Sequence, residues 1–314
     1  MKNALILTAS LLTLLTGCGT DTEADAYAAA MPDSRILVEM EASTARSNAG
    51  DASEFAFFTM NATTSVNGMI TFVLTTVDTV TDFQPTWTDG EDTAVWGPYE
   101  DDGFNFALWV THEADEGLYS WGINMKPVGT GDEAYETVIA GQADDTSNET
   151  AYAGWFAIDF DAISTLDPTE TGAGLFVSSY EVNGDVVIAS AGFEAFTDNN
   201  AGAERVDAIY HYEQTIGMEG LMDLVYAEDA TGNGEDEVFI IRSRWLESRQ
   251  GRADVAITGG ELGEATFVAT ECWDEAFAVS YYSNNYELVE NGDAASCVFD
   301  APSYNDDAAA ADGE

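Results

Sequence analysis

The chain is predicted to be mainly β with N-terminal helices, an α+β protein in which one or two helices precede a large curled antiparallel meander, half-barrel or barrel-like. Two observations predict this. From residue 55 to residue 80, apolar side chains recur at steps of three and four. From residue 94 onward the apolar period changes to two and holds through a succession of short runs. Tight-turn pairs such as Asn183-Gly184 join consecutive runs, which is the signal of hairpins. Hairpins linked in sequence make a meander.

The helical part comes first. Pro32-Asp33-Ser34 reads as a helix start, with Ile36, Leu37 and Met40 on one side and Asn48-Ala49-Gly50 as a stop. Asp51 and Glu54 then stand at capping-box spacing, with Asp in place of the usual Ser or Thr. Beyond them Phe55, Phe58, Ala62, Val66, Met69, Ile70, Val73, Val77 and Val80 form one apolar stripe, which predicts a helix over 53–81. Its many Thr and Val residues and Gly68 lower helix propensity, so a hairpin with strands near 54–60 and 68–76 competes. The helix is preferred because the stripe stays in phase over about eight turns.

Asp82-Phe83-Gln84-Pro85 breaks that element. Ala94-Val95-Trp96 reads as a strand ending at a Gly97-Pro98 turn. In 105–111, Phe106, Leu108 and Val110 alternate with Ala107, Trp109 and Thr111, and in 118–125, Tyr119, Trp121, Ile123 and Met125 share a face. Further strands fit 135–143, 153–161, 173–182, 185–194, 204–214, 221–228, 236–246, 252–258, 265–272 and 277–283. A sheet this long curls or closes. The stripe of the 53–81 helix then has a natural burial place in its concave face.

The first eighteen residues carry an address. Lys2 is followed by an apolar run from Ala4 to Leu15, too short to span a bilayer, and then by Leu15-Thr16-Gly17-Cys18. This resembles the lipobox of bacterial lipoproteins. The resemblance implies that residues 1–17 are a signal peptide, that cleavage precedes Cys18, and that Cys18 carries diacylglycerol and a further acyl chain. Two or three chains anchor durably where one does not. Gly19, where Asp would imply inner-membrane retention, favours the outer membrane, with the periplasmic or cell-surface face open. Residues 18–32 are then the acylated cysteine and a flexible acidic tether. Residues 33–300 form a single helix-plus-sheet domain, and 301–314 a disordered acidic tail.

The formal net charge is −49, and losing Lys2 with the signal peptide takes it to −50. Because 46% of residues are hydrophobic, this is a folded protein with an acid-covered surface and not an acidic tail. Such a field repels nucleic acid and anionic headgroups, so the membrane is a partner only through the lipid anchor. The acids suit a protein exposed to a salty exterior, where screening tolerates self-repulsion; a cation-binding surface is the alternative. With Cys18 lipidated, Cys272 and Cys297 remain, and an even pair in an exported chain reads as a disulfide. The redox-active spacing Cys-x-x-Cys is absent from the sequence.

Candidate chemistry is sparse. Asp229, Thr231, Asn233 and Glu235 place oxygens at alternate positions around a Gly turn, as a Ca²⁺ loop does. Ile240 stands where a bidentate Glu belongs, and an acidic hairpin loop explains the same residues. Weakly bound Ca²⁺ is the one cofactor these residues suggest. Arg242 and Arg244 share a strand face and are candidates for anion binding or for pairing with neighbouring acids. His112 and His211 fit no metal spacing, and no serine-hydrolase, zinc-protease or phosphate-loop motif is present in the sequence. Tryptophans and tyrosines in the strands suit either sugar stacking or core packing.

Thr93-Ala94-Val95-Trp96-Gly97-Pro98, Arg242-Ser243-Arg244-Trp245 and Glu271-Cys272-Trp273-Asp274 with Cys297 resemble segments of uncharacterised outer-surface bacterial lipoproteins. That group implies no activity. Carriers of periplasmic lipids resemble the expected architecture, a half-barrel holding a helix. The expected function is a non-catalytic structural, interaction or ligand-holding role at the cell envelope. A carrier of an apolar ligand in the sheet's concavity is the alternative, and a polysaccharide-acting enzyme ranks behind both. A helix that fills the concavity argues against the carrier.

Overall fold

The long helix forms where its period places it: α1 is Glu54–Thr81, 28 residues. The computed structural model describes residues 27, 31–32, 34–38, 40, 52–146, 150–197 and 205–302. Cys18, the tether up to Ala26 and the tail beyond Pro302 lie outside them. Ser53 is the N-cap, its hydroxyl accepting from the Ala56 N–H at 2.9 Å. The Thr content is absorbed by the helix itself. The hydroxyls of Thr59, Thr76, Thr79 and Thr81 each donate to the carbonyl four residues back, which hides their polarity within the backbone.

The buried face of α1 is Ala56, Thr59, Ala62, Thr63, Val66, Ile70, Val73, Leu74 and Val77. The expected stripe is corrected in its first two turns. Phe58 points outward at 37% exposure, and small Ala56 and Thr59 face the sheet instead. A large ring would hold the helix off, whereas Thr59 approaches closely enough for its hydroxyl to meet that of Ser243 at 2.7 Å.

The first expected helix is also corrected. Among the described residues of this stretch a single 3-10 turn, Ser34–Ile36, forms, and Leu37 and Val38 follow it without helix. Ile36, Val38 and Met40 are buried. The Asn67 side chain on α1 bonds both the N–H and the C=O of Val38, giving this non-helical residue the backbone partners that a helix would have supplied itself. The expected stop at 48–50 lies outside the described residues.

Among the described residues fifteen strands follow in one sheet, in sequence order from first to last. They begin with β1 (Trp87–Thr88), β2 (Thr93–Asp101), β3 (Phe104–Glu113), β4 (Leu118–Pro127) and β5 (Glu136–Asp144). Next come β6 (Ala151–Asp159), β7 (Ala173–Asn183), β8 (Val186–Thr197), β9 (Val206–Thr215) and β10 (Glu219–Glu228). The last are β11 (Glu237–Leu246), β12 (Gly251–Gly259), β13 (Phe267–Trp273), β14 (Val279–Asn284) and β15 (Val289–Gly292). A short helix, α2 (Phe160–Leu166), takes over from β6 where a strand to residue 161 was expected; Asp159 caps it, accepting from the Ala162 N–H at 2.8 Å. Gly97-Pro98 is not a turn. β2 runs through it, its register with β3 shifting between Trp96 and Tyr99 and the peptide bond being cis.

The sheet is open, since β1 and β15 do not pair with each other, and both edges are short strands, a form that limits templated pairing. It also bows around α1. Ser53 binds Glu271 on β13, and the Phe83 carbonyl, two residues past α1, accepts from Trp96 Nε1 on β2 at 2.7 Å. β2 and β13 are eleven spacings apart, about 53 Å along a flat sheet at roughly 4.8 Å each. The helix that joins them is only about 42 Å long. The arc exceeds its chord, so the face against α1 is concave.

Close approach on that face comes from four cross-strand pairs of an aromatic ring over a glycine: Trp121 with Gly141, Tyr180 with Gly154, Trp245 with Gly220, and Trp273 with Gly251. A Cβ at any of these glycines would stand 2.2–2.5 Å from the ring or its hydroxyl. The rings lie down on the sheet because nothing projects beneath them.

Candidate functional site

The concave face is occupied. Val66, Ile70, Val73 and Val77 of α1 join Trp96, Leu108, Trp121, Phe156, Phe176, Met222, Leu224 and Ile241 of the sheet in one buried cluster. Two depressions lie outside this core, each lined by both charged and apolar residues. Among the described residues no helix is long and apolar enough to cross a membrane.

One depression, of about 120 Å³, gathers Arg242, Arg244, Asp254, Phe299, Asp300 and Pro302. It exists because the Cys272–Cys297 disulfide, with Cα atoms 5.4 Å apart, draws the C-terminal segment back over β12 and β13. Arg252 Nη1 then donates to the Phe299 carbonyl at 3.3 Å. The expected arginines are therefore brought together, but with acids among them. Arg244 pairs with Asp223 at 3.1 Å across β10–β11. Arg252 grips Asp254 through two bonds of 2.7 Å, and Thr270 adds a third donor to that carboxylate at 2.6 Å. Arg244–Asp223 is a pair across strands, whereas Arg252 and Asp254 lie two apart on β12, and it is the Arg252 bond to the Phe299 carbonyl that holds down the C-terminal strap.

The Asp229 loop also turns its acid inward. Asp229 accepts from the backbone N–H groups of Gly232 and Asn233 on Oδ1, at 2.7 and 2.9 Å, and of Gly234 on Oδ2, at 2.7 Å. These bonds, that of Gly234 foremost, hold its carboxyl below the usual range. Asn233 Oδ1 is taken by the Glu235 N–H at 2.7 Å, and buried Glu237 accepts from Ala230 and Glu261 at the loop's base. Thr231 sits at the exposed tip. Among the described residues no group of three or more His, Cys, Asp or Glu is placed to hold a metal.

The outer face holds the arrangement that single runs do not reveal. In register across β2 to β9 stand Thr93, Thr111, Ser120, Gln142, Trp155, Ser179, Ser190 and His211. The adjacent row is Val95, Trp109, Gly122, Ala140, Ala157, Val177, Gly192 and Ile209, again in register. All sixteen side-chain positions are half-buried or exposed, and none is Asp, Glu, Lys or Arg. At the chain's 21% charged residues, sixteen positions would carry about three charges. Acids rim the plateau instead: Glu113, Asp144, Glu181 and Glu213 on one side, Asp159, Glu194 and Asp207 on the other.

Two tryptophans stand on this plateau, Trp109 at 49% and Trp155 at 37% exposure. Both are braced. Trp155 Nε1 donates to Gln142 Oε1, and Gln142 Nε2 donates to Ser120, each at 3.0 Å. Trp109 meets Tyr135 edge-on at 6.4 Å, and Lys126, paired with Asp132 at 2.7 Å, lies 4.5 Å over the Tyr135 ring.

Further along, Ser190, His211 and Asp223 follow in one row, with Ser190 Oγ 3.1 Å from His211 Nδ1. The row resembles a hydrolytic triad only in residue type. Asp223 serves Arg244, and Ser190 sits mid-strand between paired neighbours, so its own backbone belongs to the ladder and not to an oxyanion hole. Sequence reasoning missed Trp109 and Trp155 as a pair, because their shared surface exists only once the register of eight strands is known. Comparison with protein-family models, with curated proteins and with solved structures finds no match to this chain.

Proposed function

We propose that this chain is a lipid-anchored protein of the outer bacterial envelope with a non-catalytic role: it presents the outer face of a large antiparallel sheet for interaction outside the membrane. The observation that carries the reading is the contrast between the two faces. The concave face, where a carrier would hold an apolar ligand, is filled by α1. The opposite face is a broad uncharged plateau in a chain of net charge −49. A surface kept clear of charge while the rest of the molecule accumulates acid is suited to contact, not to solubility.

Anchoring rests on Leu15-Thr16-Gly17-Cys18, and export accords with the disulfide at Cys272–Cys297. The test is metabolic labelling with a palmitate analogue, followed by fractionation and protease treatment of intact cells. The wild-type chain takes label and partitions with outer membrane, whereas Cys18→Ser is unlabelled and released. Label retained by Cys18→Ser, or an unlabelled wild-type chain, would remove the anchor from the account.

A further inference from the structure

We infer that the outer-face plateau of β2–β9 is a binding surface for an uncharged polysaccharide, with Trp109 and Trp155 as its stacking platforms. This deepens the surface-interaction reading and rests on it. Five observations converge. The rows offer hydroxyl, amide and imidazole groups in one line and small or aliphatic side chains in the next, the mixture that a polyol with polar edges and C–H faces requires. Gly122 and Ala140 keep the second row low between the two indoles, and Ala157 and Gly192 keep it low beside and beyond Trp155, so a polymer can lie flat along it. Three inter-strand spacings separate β3 from β6, so the indoles are about 14 Å apart across the strands, a span that suits an extended chain and not a single sugar.

The indoles are also fixed before any ligand arrives. Trp155 is held through Gln142 to Ser120, and Trp109 is braced by Tyr135, itself under the Lys126 ammonium. Platforms already in one orientation bind without further ordering. Finally, the charges choose among partners. The rim acids and the net charge of −49 repel anionic polymers, nucleic acid and a second copy of this chain, and they place no penalty on a neutral one.

The experiment is co-sedimentation of the purified full-length protein, in detergent, with particles of insoluble β-glucan, chitin and mannan, with alginate gel as the anionic control. Because it reads binding directly, its result stands whether or not Cys18 carries lipid. The expected result is retention on at least one neutral polymer, not weakened by raising salt, and no retention on alginate. Trp109→Ala and Trp155→Ala each lower affinity at least tenfold with an unchanged melting temperature, Trp155→Phe recovers part of the loss, and Trp87→Ala on the edge strand leaves binding intact. No retention on any neutral polymer, preference for alginate, or equal loss in Trp87→Ala would overturn the proposal. So would concentration-dependent self-association that Trp109→Ala abolishes in the absence of glycan binding, which would make the plateau a contact between copies.

Discussion

Glu271 on β13 caps the helix that lies across it. Its Oε1 accepts from the Ser53 hydroxyl and from the Phe55 N–H, the latter at 3.0 Å, while Ser53 Oγ accepts from the Ala56 N–H. Two donors of the first helical turn are thus satisfied, one by the local cap and one by a side chain 216 residues away. The Ser53 N–H completes the anchor by donating to the Phe277 carbonyl at 2.9 Å. This contact fixes the N-terminal end of α1 on β13, as the Phe83 carbonyl fixes its other end on β2.

Glu271 is buried at 5% exposure, and desolvation raises its pKa, with the hydrogen bonds from Ser53 and Phe55 opposing. A carboxyl whose folded pKa lies above its unfolded value binds more protons when folded. Its contribution to stability is therefore largest below the ordinary glutamate range and falls as pH rises through the raised value. Glu271→Gln keeps the acceptor oxygen and removes the charge, so it is predicted to be at least as stable as wild type at pH 7, with the two curves converging under acid conditions. Glu271→Ala leaves the donors buried and loses about 1–3 kcal/mol. Urea titrations at several pH values check this; a Gln variant as damaged as the Ala variant would contradict it.

Glycines separate into two kinds. Gly251 lies under Trp273 and Gly220 under Trp245, with a Cβ at 2.2 and 2.4 Å from the ring. Ala at either position must lift an indole from the sheet and is predicted to lose about 1–3 kcal/mol. Gly68 has nothing within 4 Å and sits on the exposed side of α1, so Gly68→Ala is predicted to gain about 0.5–1 kcal/mol. Melting temperatures of the three variants decide the matter by their sign.

These cases show what was legible beforehand. The phase of α1 and most of the strands follow from local periodicity, which one stretch of chain carries by itself. Ser53 as cap, the non-helical Val38 held by Asn67 and the outward Phe58 do not, because each depends on what the sheet or Asn67 offers in space. The plateau is further from view still. Thr, Ser, Gln and Ala on separate strands look like ordinary solvent-facing residues until pairing aligns them.

The disulfide secures the strap that carries Phe299 onto Arg252. Replacing Cys272 and Cys297 by Ser frees a 25-residue separation and is predicted to lower stability by about 3 kcal/mol and to raise amide exchange over 293–302. Denaturation with and without reductant, read with hydrogen exchange, checks both parts.

Salt is predicted to stabilise. A net charge of −49 repels itself, and the Debye length shrinks from about 10 Å at 0.1 M to about 3 Å at 1 M. The melting temperature should climb steadily over that range in sodium chloride. A flat or falling profile would mean that the acids are already balanced by their neighbours.

Intact native mass spectrometry of the protein extracted from its own membranes tests the central claim most directly. The account predicts a chain beginning at Cys18, heavier by its acyl groups, with no apolar molecule held non-covalently, because α1 occupies the concavity. A co-purified apolar mass would make that concavity a binding chamber, and an unacylated chain would detach it from the membrane; either would contradict the account.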